Sequence, residues 1–283
     1  MSASSLSAAV AAEQGLFASA EEAFRKGDYY GASIAYERAG YYAASNADKT
    51  ASLLGKAECL KMLQRFDEAE QVLNRVNYEG MDDTLSYQSR YQTAFCAYLA
   101  GHFTNAESQL QQLYYYNRDS SITRAALPLY ALILNEERRW TDAHQKLRVA
   151  IEGASLNASE KDSLFHLVDD LYQPEQFPVL KSVNKAQVLD AIIPGLGHTY
   201  AGYFWEGTAS FGLNLAALAF LGYNIYTRYY ISSFTVGTTI MQMFYVGGMN
   251  RAEILVNKHN YESKTRYNER IKNDVLLIQS RLR

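Results

Sequence analysis

Apolar and polar positions in the first half of the chain follow a helical period. Apolar or small residues recur every three or four positions, as in the series Leu53, Ala57 and Leu60. This spacing places them on one face of a helix. Only four prolines interrupt the whole chain, and long runs of good helix formers connect the periodic stretches. The pattern predicts an all-α protein.

Four stretches of the chain align with a constant step of 37 residues. Each has an aromatic residue, an alanine three positions later and a bulky residue four positions after that. These positions are Tyr29, Phe66, Phe103 and Trp140, then Ala32, Ala69, Ala106 and Ala143, then Tyr36, Leu73, Leu110 and Leu147. A period of this length is typical of stacked helix pairs. The alanine lets two helices cross closely, and the aromatic residue fills the gap beside the crossing.

The stretch AFRKGDYYGASIAYERA, residues 23–39, resembles the central pattern of the tetratricopeptide repeat family. The resemblance covers about residues 14–153 and implies an α-solenoid of helix pairs. With a capping helix, the predicted domain runs over residues 14–172. The chain departs from the family pattern at the turn glycine, which is Gln64 in the second unit and Arg138 in the fourth. Each unit is also longer than the common length of about 34 residues.

The same resemblance implies a groove lined by the first helix of each pair. Such a groove, with aromatic side chains and a charged edge, takes an extended peptide or a short helix of a protein partner. The matching positions are Glu58, Lys61, Tyr91, Phe95, Tyr98, Asn135 and Glu136. A clear Lys/Arg/Asn set for capturing a C-terminal carboxylate is absent, which disfavours that class of ligand.

A predicted linker, residues 173–185, precedes the most apolar part of the chain. No charged residue occurs in 207–227 or in 229–250, and Arg228 separates these stretches. At about 1.5 Å per residue, each is long enough to cross the hydrocarbon core of a bilayer. We therefore predict a membrane-associated segment over 186–250 with two transmembrane helices. The alternative is a pair of buried core helices in a soluble domain.

A glycine-rich motif, PGLGHTYAG at residues 194–202, lies at the start of this segment. Its glycines predict tight turns and close approach of the backbone. We expect the motif to lie at a bilayer surface, with a re-entrant path or a third span as alternatives. A hydrogen-bonding role for its histidine is favoured over catalysis. The candidate residues are Pro194, Gly195, Gly197, His198, Tyr200 and Gly202.

This motif, followed by EGTASFGLNLAAL and FYVGGMNRAEILVNKHNY, resembles the C-terminal hairpin of tetratricopeptide-containing envelope proteins of Bacteroidetes-type bacteria. Its start is also similar to a small two-helix membrane-hairpin domain. The resemblance covers about residues 186–268 and implies a multi-pass protein of the bacterial inner membrane. It would place the repeats in the periplasm, whereas the excess of Lys and Arg outside the turn at Arg228 favours a cytoplasmic repeat domain. The two readings stay open.

Charge is unevenly distributed along the chain. Residues 1–250 carry 19 Lys and Arg against 26 Asp and Glu, whereas residues 251–283 carry 8 against 4. The formal net charge of −3 argues against a nucleic-acid partner. The basic tail, 251–283, has an apolar stripe formed by Tyr267, Ile271, Val275, Ile278 and Leu282. It is predicted to lie on anionic lipid headgroups, to pack on the repeats or to pair in a homo-oligomer.

The sequence contains no pattern of residues that is typical of an active site. The five histidines form no pair at i,i+3 or i,i+4, and Cys59 and Cys96 are predicted to be buried free thiols. The first 15 residues show no secretory signal. We therefore predict a protein that is not an enzyme, with no catalytic residue, no metal site and no cofactor.

These features together predict a membrane-anchored scaffold for protein–protein interaction. By resemblance, it would recruit a partner to the bacterial inner membrane, in envelope assembly or membrane-protein biogenesis. One alternative is an accessory subunit of a membrane transport or secretion complex. Another is a soluble adaptor in which the apolar helices form a core.

Overall fold

The computed structural model describes residues 15–117 and 123–282. These residues form helices and turns, and no strand occurs among them, so the all-α prediction is confirmed. The chain divides into two compact units. The first unit ends at Gln173 and also includes residues 272–282, and the second is Pro174–Ile271. The N-terminal stretch in which no secretory signal is predicted lies, up to residue 14, outside the described residues.

The first unit is built from consecutive pairs of helices. Its helices are residues 15–25, Tyr29–Tyr42, Asn46–Met62, Phe66–Leu73, Asp83–Ala100, Phe103–Tyr116, Leu127–Glu136, Trp140–Glu152 and Ala158–Leu171. Each helix contacts chiefly the helices next to it in the chain. This order of contacts is expected when a unit is stacked from local repeats.

The second helix of every pair begins at the aromatic residue of the repeat. These first residues are Tyr29, Phe66, Phe103 and Trp140. Two positions earlier, a residue with φ between 57° and 82° ends the turn: Gly27, Gln64, Gly101 and Arg138. A left-handed residue commonly stops a helix. Gln64 and Arg138 therefore adopt the same left-handed conformation as Gly27 and Gly101 at the equivalent turns.

The repeated alanine lies where the helices of the unit cross. Ala32, Ala69, Ala106 and Ala143 are all fully buried. Among the repeated bulky residues, Leu73, Leu110 and Leu147 are fully buried and Tyr36 nearly so. Because a larger side chain at the crossing would separate the helices, the periodic alanine follows from their close packing.

The end of the repeats is covered by two further elements. The helix Ala158–Leu171 begins with a capping box in which Asn157 and Glu160 satisfy each other's backbone N–H groups. Residues 272–281 are the last turns of the helix Thr238–Arg281, and Val275 and Ile278 of this segment are fully buried. These residues of the basic tail therefore pack on the repeats, which is one of the three predicted alternatives.

The second unit contains one long apolar helix among shorter elements. Its elements are a 3₁₀ turn at Pro174–Gln176, the helices Val183–Ile192, Leu196–Ala201, Phe204–Tyr226 and Tyr230–Ser232, a π-helical turn at Ser233–Gly237 and the start of Thr238–Arg281. With 10 residues, the first of these helices is about 15 Å long, too short to cross a bilayer.

One described helix is long and apolar enough to cross a membrane. It is Phe204–Tyr226, hereafter the apolar helix, and only 11% of its most apolar window is buried. The second predicted span, 229–250, is not a separate helix, because it continues into the charged part of Thr238–Arg281. Its serines, threonines and Gln242 also dilute its apolar character. The prediction of a multi-pass protein of the bacterial inner membrane is therefore wrong.

The chain turns back along the apolar helix after Arg228, which has a φ of 64°. The Ser233 hydroxyl donates a hydrogen bond of 3.2 Å to the carbonyl oxygen of Leu221. Further along, the Arg251 guanidinium binds both carboxylate oxygens of Glu206 at 2.9 and 3.2 Å. The segment after Arg228 therefore runs antiparallel to the apolar helix.

Candidate functional sites

The predicted groove contains a connected patch centred on Lys61. Its ammonium lies 2.5 Å from a Glu58 carboxylate oxygen, donates to the Gln92 side-chain oxygen at 2.9 Å and lies 5.3 Å from the centre of the Phe95 ring. These residues come from Asn46–Met62 and Asp83–Ala100, the first helices of two successive pairs. The structure thus brings three predicted groove residues, Glu58, Lys61 and Phe95, together.

A cleft of about 460 Å³ continues from this patch within the first unit. Tyr91 lines it and stacks on Tyr87, with ring centres 5.9 Å apart. Burial raises the pKa of Tyr87 to about 12, so its hydroxyl stays protonated and able to donate at neutral pH. The other lining residues include Gln88, Gln92, Arg124, Pro128, Gly153, Gln279 and Leu282. Because Gln92 contacts Lys61 and also lines the cleft, the patch and the cleft form one surface, hereafter the repeat groove.

The remaining predicted groove residues have different environments. Burial raises the pKa of Tyr98 to about 12, and the nearby Glu136 carboxylate adds to that increase. Asn135 is 2% exposed, and its side-chain amide donates a 2.8 Å hydrogen bond to the Tyr172 hydroxyl. The structure therefore places Asn135 in the core, where it links its helix to the capping helix.

Sequence reasoning missed several lining residues of the repeat groove. Gln88 and Gln92 lie one helical turn apart on the face that carries Tyr91, so helical spacing alone would have found them. Gln279 and Leu282 come from the far end of the chain. No local pattern indicates that the tail packs there.

The glycine-rich motif surrounds the side chain of Asp190, which is 1% exposed. Its Oδ1 accepts hydrogen bonds from the backbone N–H groups of Gly195 and Gly197, at 2.8 and 3.0 Å. The same oxygen lies 3.1 Å from Nδ1 of His198. A carboxylate that accepts several N–H groups in this way fixes the turn between Val183–Ile192 and Leu196–Ala201.

Two glycines of the motif leave no room for a side chain. A Cβ on Gly195, which has a φ of 94°, would overlap the carbonyl oxygen of Gly207, and one on Gly197 would overlap that of Ala186. The predicted close approach of the backbone is confirmed at these two positions. This close approach brings the helices Val183–Ile192, Leu196–Ala201 and Phe204–Tyr226 together around Asp190.

The other motif residues support this arrangement from its edge. The Tyr200 hydroxyl accepts a 3.1 Å hydrogen bond from the backbone N–H of Ser182. Gly202, with a φ of 103°, ends the short helix. Pro194 is half-buried at the turn. None of these three residues reaches the Asp190 carboxyl group in the described structure.

A pocket of about 300 Å³ lies beside His198 within the second unit. Hereafter called the polar pocket, it is lined by His198, Glu206, Ala209, Ser210, Leu213, Asn214, Met243, Phe244, Gly247, Gly248 and Arg251. Two buried oxygens in or beside it, Oδ2 of Asp190 and Oδ1 of Asn214, have no hydrogen-bond partner. The sequence analysis did not predict this pocket. A polar residue inside an apolar helix, such as Asn214, was the available signal.

Comparisons with protein-family models, with curated proteins and with solved structures found no match. The resemblances to tetratricopeptide repeats and to bacterial envelope proteins therefore remain predictions. Among residues 15–117 and 123–282, no group of three or more His, Cys, Asp and Glu side chains is placed to bind a metal ion.

Proposed function

We propose that this chain is a scaffold of the tetratricopeptide type, which binds an extended peptide or short helix of a protein partner in the repeat groove. The observation that carries the proposal is the continuous surface from Lys61 through Gln92 to Tyr91. It combines flat aromatic rings, amide groups and a cation. This combination suits the backbone and alternating side chains of a peptide.

The charged groups of the repeat groove indicate which kind of partner segment it would bind. Lys61 is satisfied by Glu58 and Gln92, whereas the Arg124 side chain lies over Gly153 at the cleft. Tyr87 and Tyr91 line the same cleft as Arg124. A segment with an apolar side chain flanked by an acidic one complements these groups.

The apolar helix provides the second part of the proposed function, which is contact with a lipid bilayer. Its exposed side chains include Leu213, Leu215 and Leu218, each about half accessible. An exposed apolar surface of this size needs a cover other than water. This exposure supports a membrane-bound scaffold over the alternative in which the apolar helix is a soluble core.

A cross-linking experiment tests the groove. A photoreactive phenylalanine analogue replaces Phe95 in one variant and the exposed Val149 (46% accessible) in the control. We expect one captured protein from the Phe95 position, lost when Lys61→Glu is added, and none from the control. The same products from both positions would contradict the groove.

Alkaline carbonate extraction tests the contact with lipid. The chain should remain in the membrane pellet, and a variant with Leu213, Leu215 and Leu218 replaced by serine should move to the supernatant. A chain that stays soluble and monodisperse in plain buffer would instead support the soluble adaptor. The same exposed helix also favours a second candidate, an accessory subunit of a membrane complex. A stoichiometric partner retained through purification in mild detergent would identify that case.

A further inference from the structure

The polar pocket has unsatisfied hydrogen-bond acceptors at its base. Asp190 is 1% exposed and Asn214 is 9% exposed, yet one side-chain oxygen of each has no partner. Leaving one such group buried and unpaired is unfavourable. Two such unpaired acceptors beside one pocket indicate a site where a bound molecule would donate hydrogen bonds to them.

Gly248 lies close against polar atoms at the polar pocket. An atom at the Cβ position of this glycine would lie 3.0 Å from Oδ2 of Asp190 and 3.3 Å from the Ser210 hydroxyl oxygen. It would also lie 4.0 Å from Cε1 of His198. Oxygen atoms from two helices therefore face the same small space, which a side chain at position 248 would fill.

His198 contributes a further acceptor to this space. Its Nδ1 lies 3.1 Å from Oδ1 of Asp190, and since a carboxylate only accepts, Nδ1 carries the hydrogen. In the neutral imidazole, Nε2 then bears a lone pair, and no hydrogen bond to it occurs among the described residues. His198 also lines the pocket.

Charge at the pocket favours a cation. Glu206 and Arg251 at its edge neutralise each other through two hydrogen bonds, which leaves the Asp190 carboxylate as the uncompensated charge. A compensating cation inside a low-dielectric pocket is strongly attracted to a carboxylate.

We propose that the polar pocket binds a primary ammonium group. An ammonium carries one positive charge and three N–H donors, which match Oδ2 of Asp190, Oδ1 of Asn214 and Nε2 of His198. A quaternary ammonium has no donors and is usually held by a cage of aromatic rings, whereas Phe244 is the one aromatic ring in the lining. The apolar walls, Leu213, Met243 and Phe244, would contact the carbon atoms next to the ammonium.

Two sources provide this chemistry, a soluble amine and the ethanolamine headgroup of a lipid. The pocket borders the exposed apolar helix, where the acyl chains of a lipid would find a surface. The inference does not depend on the repeat groove, since all of its residues belong to the second unit.

Titration calorimetry with ethanolamine and with choline tests the proposal on the full chain in mild detergent. We expect saturable binding of ethanolamine and at least about tenfold weaker binding of choline. No binding of ethanolamine up to about 10 mM, or equal binding of the two compounds, would overturn the proposal.

A pair of asparagines in the apolar helix provides a matched control. Asn214 and Asn224 each donate a 2.9 Å hydrogen bond to the carbonyl oxygen four residues earlier, and they are 9% and 8% exposed. Only Asn214 lines the polar pocket. Asn214→Leu should weaken ethanolamine binding about tenfold, while Asn224→Leu leaves it unchanged. Equal weakening by both variants would refute the assignment.

Asp190→Asn tests the charge with little change of shape, and it should abolish binding. If this variant does not fold, the comparison of the two asparagine variants still decides the question. Flotation with vesicles of phosphatidylethanolamine and of phosphatidylcholine then separates the sources. A preference for the first that free ethanolamine competes away identifies the lipid. Calorimetric binding of ethanolamine without a vesicle preference identifies a soluble amine.

Discussion

Two helices of similar apolar composition are used in opposite ways in the two units. In the first unit, every residue from Leu127 to Asn135 of the helix Leu127–Glu136 is buried. In the second unit, the apolar helix buries chiefly its small and polar residues, and its large apolar side chains are exposed. The buried residues are Gly207, Asn214, Ala217 and Asn224, and the exposed ones include Phe211, Leu213, Leu215, Leu218, Phe220, Tyr223 and Ile225.

Because the two helices have similar compositions, the contrast reflects what surrounds each helix. Neighbouring helices of the repeats cover Leu127–Glu136, so its apolar side chains lie in a core from which water is excluded. The returning segment contacts the apolar helix through small residues of its own, Gly237 and Ser233, which lie against Leu221. Close packing through small residues, with large apolar ones facing outward, is typical of helices whose solvent is not water.

The largest difference in the free energy of unfolding should be between a buried and an exposed leucine. Leu147→Ala removes a fully buried side chain of the first unit and should lower the free energy of unfolding by about 3 kcal/mol. Leu215→Ala, at a side chain that is 56% exposed, should change it by less than about 0.5 kcal/mol. Denaturant unfolding followed by circular dichroism measures both. A large loss at Leu215 would mean that the chain itself covers the apolar helix.

Glycines of the second unit should show the next largest difference. Gly195→Ala places a Cβ against the Gly207 carbonyl oxygen at a positive φ and should destabilise this unit by about 3 kcal/mol. Gly212→Ala meets no atom within 4 Å and should stabilise the apolar helix by up to about 1 kcal/mol. Hydrogen exchange of the amides in Leu196–Ala201 reports the change. Similar exchange rates in the two variants would contradict the close packing of the motif.

The turns of the repeats should respond more weakly. Gln64 has a φ of 57°, a conformation that favours glycine, so Gln64→Gly should stabilise the first unit by about 1 kcal/mol. Gly101→Gln, with a φ of 82° at the equivalent position, should destabilise it by a similar amount. Thermal unfolding should shift by about 2–4 °C in opposite directions. A shift in the same direction for both would show that the two turns are not equivalent.

The smallest effect should come from an ion pair between the first two helix pairs. Hydrogen bonds from Arg75 and Lys56 lower the pKa of Glu37 from 4.5 to about 2. A lowered carboxyl pKa contributes stability above pH 4.5 that is lost as the pH falls from 4.5 towards about 2. Because the Glu37 side chain is 40% exposed, screening limits the contribution to less than about 1 kcal/mol.

Acid titration of the unfolding free energy measures this contribution. Glu37→Gln should flatten the dependence between pH 4.5 and about 2, and Arg75→Gln should reduce it. An unchanged acid profile in both variants would show that the pair adds nothing to stability.

The repeats were the most predictable part of the molecule. The 37-residue step predicted a pair of helices in each unit, because an aromatic residue, a turn and a small residue at a crossing are determined by short stretches of chain. The burial of the free thiols Cys59 and Cys96 was predicted in the same way and is confirmed. Burial raises their pKa values to about 11 and about 12.

The candidate sites were predictable only in part. The resemblance to tetratricopeptide repeats placed Lys61 and Phe95 in one predicted groove, and the structure brings the two side chains together. Asn135 was predicted from the same resemblance but is buried, and it donates a hydrogen bond to Tyr172, the residue that follows the capping helix. Asp190 was not predicted as part of a site, because its partners depend on how the following turn closes.

Within the repeats, the sequence by itself determined which positions recur and that helices pair, because φ preferences and helical periodicity act over a few residues. Tertiary structure decided which faces of those helices are covered. The pairing of Glu206 with Arg251, 45 residues apart, and the packing of the tail on the repeats depend on contacts between distant segments. No short stretch of chain contains that information, because burial depends on the segments that meet as well as on the residues within each.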